Sequence, residues 1–329
     1  ALAAGSEAGT KPMPCSHCDY CEFNTVCDEQ WRREDSLVYV AGIRRPEIDA
    51  FELAGVGTLT ELSKLDHTTD AIDDVRPERL KRLAQQAKLQ KIALEQDDMP
   101  FSIAESEDEE TKWGLGLEKL PQPDDGDIFI DFEGHPFWRP ETGLFFLFGA
   151  LQREADGEWK FQAWWAHDKP SETAAAEEFI AYIAARRAQF PRMHAYHYNH
   201  TERSTLQRLA DGHPRAESAL KELVDTGAFV DLYEVGLNGI QIGAESYGLK
   251  CMEKLTDFHR NHEIDKGAGA VLKYENYMTH RDEADLEAIA NYNEDDVRAT
   301  LALRDWLVAN RPPETAWRAA YTELEEENR

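Results

Sequence analysis

No stretch of this 329-residue chain stays apolar for the ~18–20 residues that a bilayer-spanning helix needs, and none has the pattern of a secretory leader. Membrane insertion and export are not expected, and a cytoplasmic setting is. Internal repeats and low-complexity tracts are missing too, which excludes solenoids and collagen-like arrays. Basic residues are outnumbered: 36 Lys and Arg stand against 64 Asp and Glu, a formal charge of −28. Such a chain has no general electrostatic pull on nucleic acid, so any contact with a phosphate backbone must be made locally. Cysteines number five, and four of them fall within one run of thirteen residues, which points to metal or cluster binding rather than disulfides. The chain opens with alanine in a featureless ALAAGSEAGT, from which a fragment of a longer polypeptide is expected.

What is present is partitioned along the chain. Residues 1–40 hold the cysteine run CSHCDYCEFNTVC and a short amphipathic piece. Residues 41–95 read as helical: Arg45-Pro46 opens one helix, AGVGT breaks it, Leu59–Leu65 forms a second and Pro77–Leu94 a third. That third segment is basic, with six Lys or Arg between Arg76 and Lys91 against Glu78 alone. Residues 96–126 read as an acidic, proline-punctuated linker. From 127 to 312 the pattern turns to α/β. DIFIDFE, GLFFLFGALQ and WKFQAWWA are strand candidates, followed by helix over Glu172–Gln189, strand over Met193–Tyr198, helices over Thr201–Ala210 and Arg215–Val224, and a short strand FVDLY. A long amphipathic helix over Asp282–Asn310 ends at Arg311-Pro312-Pro313, and residues 313–329 form a tail. A meander of strands and then alternating helix and strand predicts a mixed sheet flanked by helices.

Asp131 and Glu133 are two apart on a predicted strand, so both side chains share one face. Carboxylates on an otherwise apolar strand are costly without a partner, and a hard divalent cation is the natural one. Tyr292 and Asp296 stand at i and i+4 on the long helix, again on one face. A phenol one turn from a carboxylate suits a metal site in which Tyr orients or helps deprotonate a water. Two further acids lie between them in sequence: Glu202 opens the helix after the strand ending at Tyr198, and Asp231 lies in FVDLY.

With DFEG, then an acid after a middle strand, then YxxxD, the chain resembles the DEDDy branch of the proofreading-type exonuclease superfamily. It is closer still to the ribonuclease H-like domain of RecB-like nucleases, through GLGLEKLPQPDDGDIFIDFEGHP, HAYHYNHTE, FVDLYEV, SYGLK and NYNEDDVRATLALRDWL, over residues 114–310. The resemblance implies a ribonuclease H-like fold with a mixed five-stranded sheet. It also implies 3′→5′ exonuclease chemistry by two divalent cations, Mg²⁺ or Mn²⁺. Asp131, Glu133, Glu202 and Asp296 are then the metal ligands and Tyr292 the water-orienting group. The second acid of the pattern is ordinarily Asp, so Glu202 departs from it and Asp231 stands in reserve. DNA is favoured over RNA as substrate. An RNA exonuclease and a non-catalytic nucleic-acid-binding module remain as alternatives.

Cys18, Cys21 and Cys27 resemble the C-terminal cysteine trio of iron–sulfur RecB-like nucleases, and Cys15 adds a fourth thiolate. These ligands suit a [4Fe–4S] cluster or Zn²⁺. The resemblance implies linkage to a RecB-like nuclease or helicase module. Gly55 and Gly57 fit the hairpin of a helix–hairpin–helix, where main-chain N–H groups approach phosphate. Arg79 and Arg82 on the basic helix, and Lys250 in SYGLK, are the further candidates for backbone contact. His259 and His262 are read as surface residues.

Overall fold

A computed structural model of the chain describes residues 12–15, 17–18, 21–96, 99–104, 113–138, 143–261 and 267–318. The chain divides into two units, Ala1–Ser102 with Gln241–Ser246, and Ile103–Ile240 with Tyr247–Arg329.

The first unit is helical: α1 (Asn24–Arg33), α2 (Arg45–Leu53), α3 (Leu59–Leu62) and α4 (Pro77–Gln96), followed by a short strand, β1 (Phe101–Ile103). Pro46 sits in the first turn of α2, and the Glu47 carboxylate accepts from the Arg44 amide at 2.7 Å, a local start signal. Gly55 ends that helix at φ +81, a conformation that favours glycine. Thr58 and Glu61 then cap α3 reciprocally, at 3.0 and 3.1 Å. The apolar faces meet in a core of Leu37, Ile48, Phe51, Leu62, Leu80 and Leu83. Residues 241–246 return to this unit from far along the chain. Buried Gln86 on α4 donates to the Ile242 carbonyl at 2.8 Å, so an amide side chain inside the unit is satisfied by the returning backbone.

The second unit is built on a five-stranded sheet: β2 (Ile128–His135), β3 (Leu144–Arg153), β4 (Trp159–Trp165), β5 (Ala195–His197) and β6 (Phe229–Asp231), in the order β4-β3-β2-β5-β6. β3 runs antiparallel to β2 and β4, while β5 and β6 run parallel to β2. The mixed sheet expected from the sequence is therefore present. Its helices are α5 (Lys169–Gln189), α6 (Thr201–Ala210), α7 (Pro214–Asp225) and α8 (Leu232–Gly239). After β7 (Ile240–Ile242), which pairs with β1, come α9 (Leu249–Met252), α10 (Gly267–His280) and α11 (Glu283–Asn310).

Strand alternation divides β2 between two layers. Ile128, Ile130 and Phe132 face a core shared with α5, α6 and α7, including Phe179, Ile183, Leu206 and Leu220. Phe129, Asp131 and Glu133 take the other side, toward α11. On that side Leu144, Phe146 and Leu147 pack with Tyr274, Ile289 and Tyr292 from α10 and α11. The carboxylates thus lie in a layer between sheet and helix. Within the stretch read as linker, Leu117 and Leu120 are buried. FVDLY divides after Asp231, whose carboxylate caps the next helix by accepting from the Tyr233 amide at 2.9 Å, so Leu232 and Tyr233 are helical rather than extended.

Candidate metal centre between the sheet and the last helix

The site begins with strand geometry. Asp131 lies opposite Gly149 in the β2–β3 register and Glu133 opposite Leu147; an irregularity then interrupts the pairing between Glu133 and Gly134, just past the carboxylates. From above, α11 presents Tyr292 and Asp296 one turn apart on one face, with Asn293 three residues before Asp296 beside them. Ligand oxygens of Asp131, Glu133 and Asp296 all come within 4.8 Å of one another. Three carboxylates from two elements far apart in sequence converge on one point.

Their electrostatics show the tension this creates. Burial, and then the charges of Asp296, Glu133 and Glu202, raise the Asp131 carboxyl well above its ordinary range. Burial and the Asp296 charge push Glu133 up to about 8, against the pull of a hydrogen bond from Asn293. Asp296 is raised by burial too, but opposed by the Arg260 guanidinium, by Lys250 and by a hydrogen bond with Tyr292. Arg260 donates from Nη2 to Asp296 Oδ1 at 2.7 Å, while Glu253 grips the same guanidinium at 2.7 and 2.9 Å. The Asn261 amide, donating to Asp295 Oδ2 at 3.1 Å, fixes that loop on α11.

Glu202 is buried close enough for its charge to act on both Asp131 and Glu133. Its Oε2 lies 3.5 Å from His197 Nδ1, whose N–H is directed to the Asn199 carbonyl, and it has no hydrogen-bond partner among the described residues. Glu202 stands outside the three carboxylates whose oxygens lie within 4.8 Å of one another, but its orphaned buried oxygen is of the hard type a divalent cation takes. Asp231, the reserve candidate, is engaged otherwise: besides capping α8 it accepts from the Asn199 amide at 2.9 Å. It thereby holds the turn at Asn199, φ +80, from which Glu202 emerges.

Lys250 Nζ stands 5.7 Å from the Tyr292 ring centre, and the Arg260 guanidinium 6.0 Å from it. The remaining candidates belong to the helical unit. The Gly57 amide donates to Glu61 Oε2 at 2.8 Å, and Arg79 pairs with Glu47 at 2.6 Å, so both contact groups are already engaged. Arg82 is half-buried and its carbonyl accepts from Gln241 at 2.7 Å. Cys15 and Cys18 bring their sulfurs to 4.0 Å, with Cys21 and Cys27 half-buried beyond them in the chain. His259 is exposed, and His262 lies outside the described residues.

Sequence reasoning missed Asn293, Gly149, Arg260 and Glu253. Asn293 had a signal, since it stands inside YNEDD three residues before Asp296, on the same helical face. Arg260 had none: its reach to Asp296 depends on how a loop closes.

No curated protein and no solved structure matches the chain. The RNase_H_2 family of the RNase H superfamily matches residues 128–308, more than half of the chain. The match spans β2 through α11 and contains every carboxylate of the centre. The chain belongs to the RNase H superfamily, as a member of its RNase_H_2 family.

Proposed function

We propose that the RNase H-like domain is a metal-dependent 3′→5′ exonuclease acting on DNA at single-stranded or frayed ends. Membership of the superfamily supports a nucleic-acid-cleaving hydrolase; the convergence of Asp131, Glu133 and Asp296 is the observation that carries the reading further. Asp131, Glu133, Glu202 and Asp296 would hold two divalent cations, Mg²⁺ or Mn²⁺. Ions bound there supply a hydroxide at neutral pH and offset charge growing on the phosphate. Burial and then the nearby carboxylates push the Tyr292 hydroxyl above its ordinary value. Its hydroxyl, hydrogen-bonded to Asp296, would help orient a water beside the ions. Lys250, beside the Tyr292 ring, contributes a positive charge on the approach of a phosphodiester.

Local charge answers the objection raised by the acidic chain: four carboxylates and two divalent cations balance, and phosphate meets the ions rather than the carboxylates. In the helical unit, Gly55, Gly57, Arg79 and Arg82 are proposed as backbone contacts, with Glu61 and Glu47 yielding to phosphate. The four cysteines are proposed to hold a [4Fe–4S] cluster or Zn²⁺, and the chain to act with a RecB-like nuclease or helicase module.

The test is end-labelled single- and double-stranded DNA and RNA with Mg²⁺ or Mn²⁺. Single-stranded DNA labelled at its 5′ end is expected to shorten into a descending ladder that Asp131→Ala abolishes. Shortening of RNA alone would transfer the reading to RNA. No shortening, or an Asp131→Ala protein that behaves as the parent does, would sink it. An anaerobic brown preparation absorbing near ~400 nm assigns iron–sulfur to the cysteines, and a colourless zinc-containing one assigns Zn²⁺.

A further inference from the structure

We infer that Asn293 is a positioning residue for the metal-binding carboxylates and that Gly149 is the seat that lets it reach them. The inference rests on reading Asp131, Glu133 and Asp296 as a metal centre.

Asn293 is fully buried on α11. Its Nδ2 donates to Asp131 Oδ2 at 2.6 Å and leans on Glu133 Oε1 at 3.3 Å. Two like charges on one strand face repel each other. A neutral amide carrying two N–H groups can take one oxygen of each, leaving the other oxygen of each for a cation. The orientation of the amide follows from this chemistry, because reversing it would press its carbonyl oxygen against two carboxylates.

The consequence appears on the other side of the amide. Asn293 Oδ1 is turned toward β3, buried, with no hydrogen-bond partner among the described residues. A buried carbonyl left unpaired is unfavourable, and an apolar side chain of similar size would fill the space without it. Packing therefore does not account for asparagine here; the two bonds to Asp131 and Glu133 do. Space for Oδ1 exists because the residue opposite Asp131 in the β2–β3 register is Gly149. A Cβ at Gly149 would overlap Asn293 Oδ1 and stand 3.0 Å from its Cγ. Sheet register, glycine and asparagine thus form one device, assembled from β2, β3 and α11.

The device predicts an interaction between two substitutions. Mn²⁺ affinity would be measured by calorimetric titration of the full chain, with circular dichroism to establish folding. Asn293→Ala is expected to weaken Mn²⁺ binding by about tenfold to a hundredfold, as loss of a partner to metal ligands commonly does. Gly149→Ala is expected to do the same by displacing the amide. The double variant should bind no more weakly than Asn293→Ala alone, because removing the amide removes the obstruction. Losses that multiply in the double variant, or an Asn293→Ala protein within about twofold of the parent, would overturn the inference. Should Gly149→Ala fail to fold, Asn293→Leu fills the volume without donating and must show the same loss as Asn293→Ala. A parent chain that binds no Mn²⁺, or an Asp131→Ala chain that binds it equally well, brings down the metal reading itself, an outcome distinct from the others.

Discussion

Ionising Asp131, Glu133 and Asp296 together works against the fold until a cation joins them. In the metal-free protein Glu133 holds its proton up to about pH 8, while in the unfolded chain it releases it in the ordinary carboxylate range. Between those limits the folded state binds more protons than the unfolded one, so stability must fall as pH rises through that window. Thermal melts in chelator are expected to show this decline, and saturating Mn²⁺ to reverse it, since the ion binds the ionised site in the folded state. Asp131→Asn removes an acid whose ionisation the folded, metal-free state opposes. It should stabilise the metal-free protein at pH 7.5 by about 1–3 kcal/mol, read as a higher melting temperature, while abolishing nuclease activity. Asp131 and Glu133 were legible in the sequence because a period of two puts both on one face, and Tyr292 with Asp296 because a helical turn does the same. Arg260, seated on Asp296, was not legible, since its place depends on Glu253 and on a loop tied to Asp295 rather than on any spacing.

At the scale of elements, the placement of α11 over β2 decides whether the two halves of the centre meet. At the other end of β2, Arg304 on α11 donates to buried Asp127 at 2.7 Å and lies 4.9 Å over the Phe129 ring. Burial pushes the Asp127 carboxyl up to about 6 in spite of that partner. Removing the guanidinium leaves the buried acid with two backbone amides but no opposite charge, so Arg304→Met should cost about 3–5 kcal/mol in urea unfolding at pH 8. The loss should shrink at pH 5, where Asp127 is free to take a proton, and Asp127→Asn in the same chain should recover part of it. The helix itself was evident from a long amphipathic pattern closed by Pro312-Pro313. Its neighbour α8 was not, because LYEVGL has the aromatic and apolar content of a strand. Only the Asp231 cap, with its bond to Tyr233, ends the extended segment. α10 carries a glycine-rich start, GAGA, that gives no helix signal.

The whole molecule carries a charge of −28, and this constrains how it meets a polyanion. Acids outnumber lysines and arginines, so the dependence of nucleic-acid affinity on monovalent salt should be shallow. Chelation should matter more. In anisotropy titrations, removing divalent ions is expected to weaken binding by more than tenfold, beyond the effect of doubling NaCl. Changes of composition along the sequence suggested segments at 1–40, 41–95, 96–126, 127–312 and 313–329. The return of residues 241–246 to the first unit was not legible, because a six-residue segment carries no periodicity of its own.

That return has a consequence for inheritance. A chain that enters one unit, leaves it and re-enters it for six residues has no single point at which a gene could be cut to release either part whole. Recombination that carried off the nuclease as a cassette beginning after Ser102 would leave the Ile242 carbonyl without the Gln86 amide that meets it here. The two units are accordingly expected to travel through evolution as a pair, with changes on α4 matched by changes in the short segment it receives.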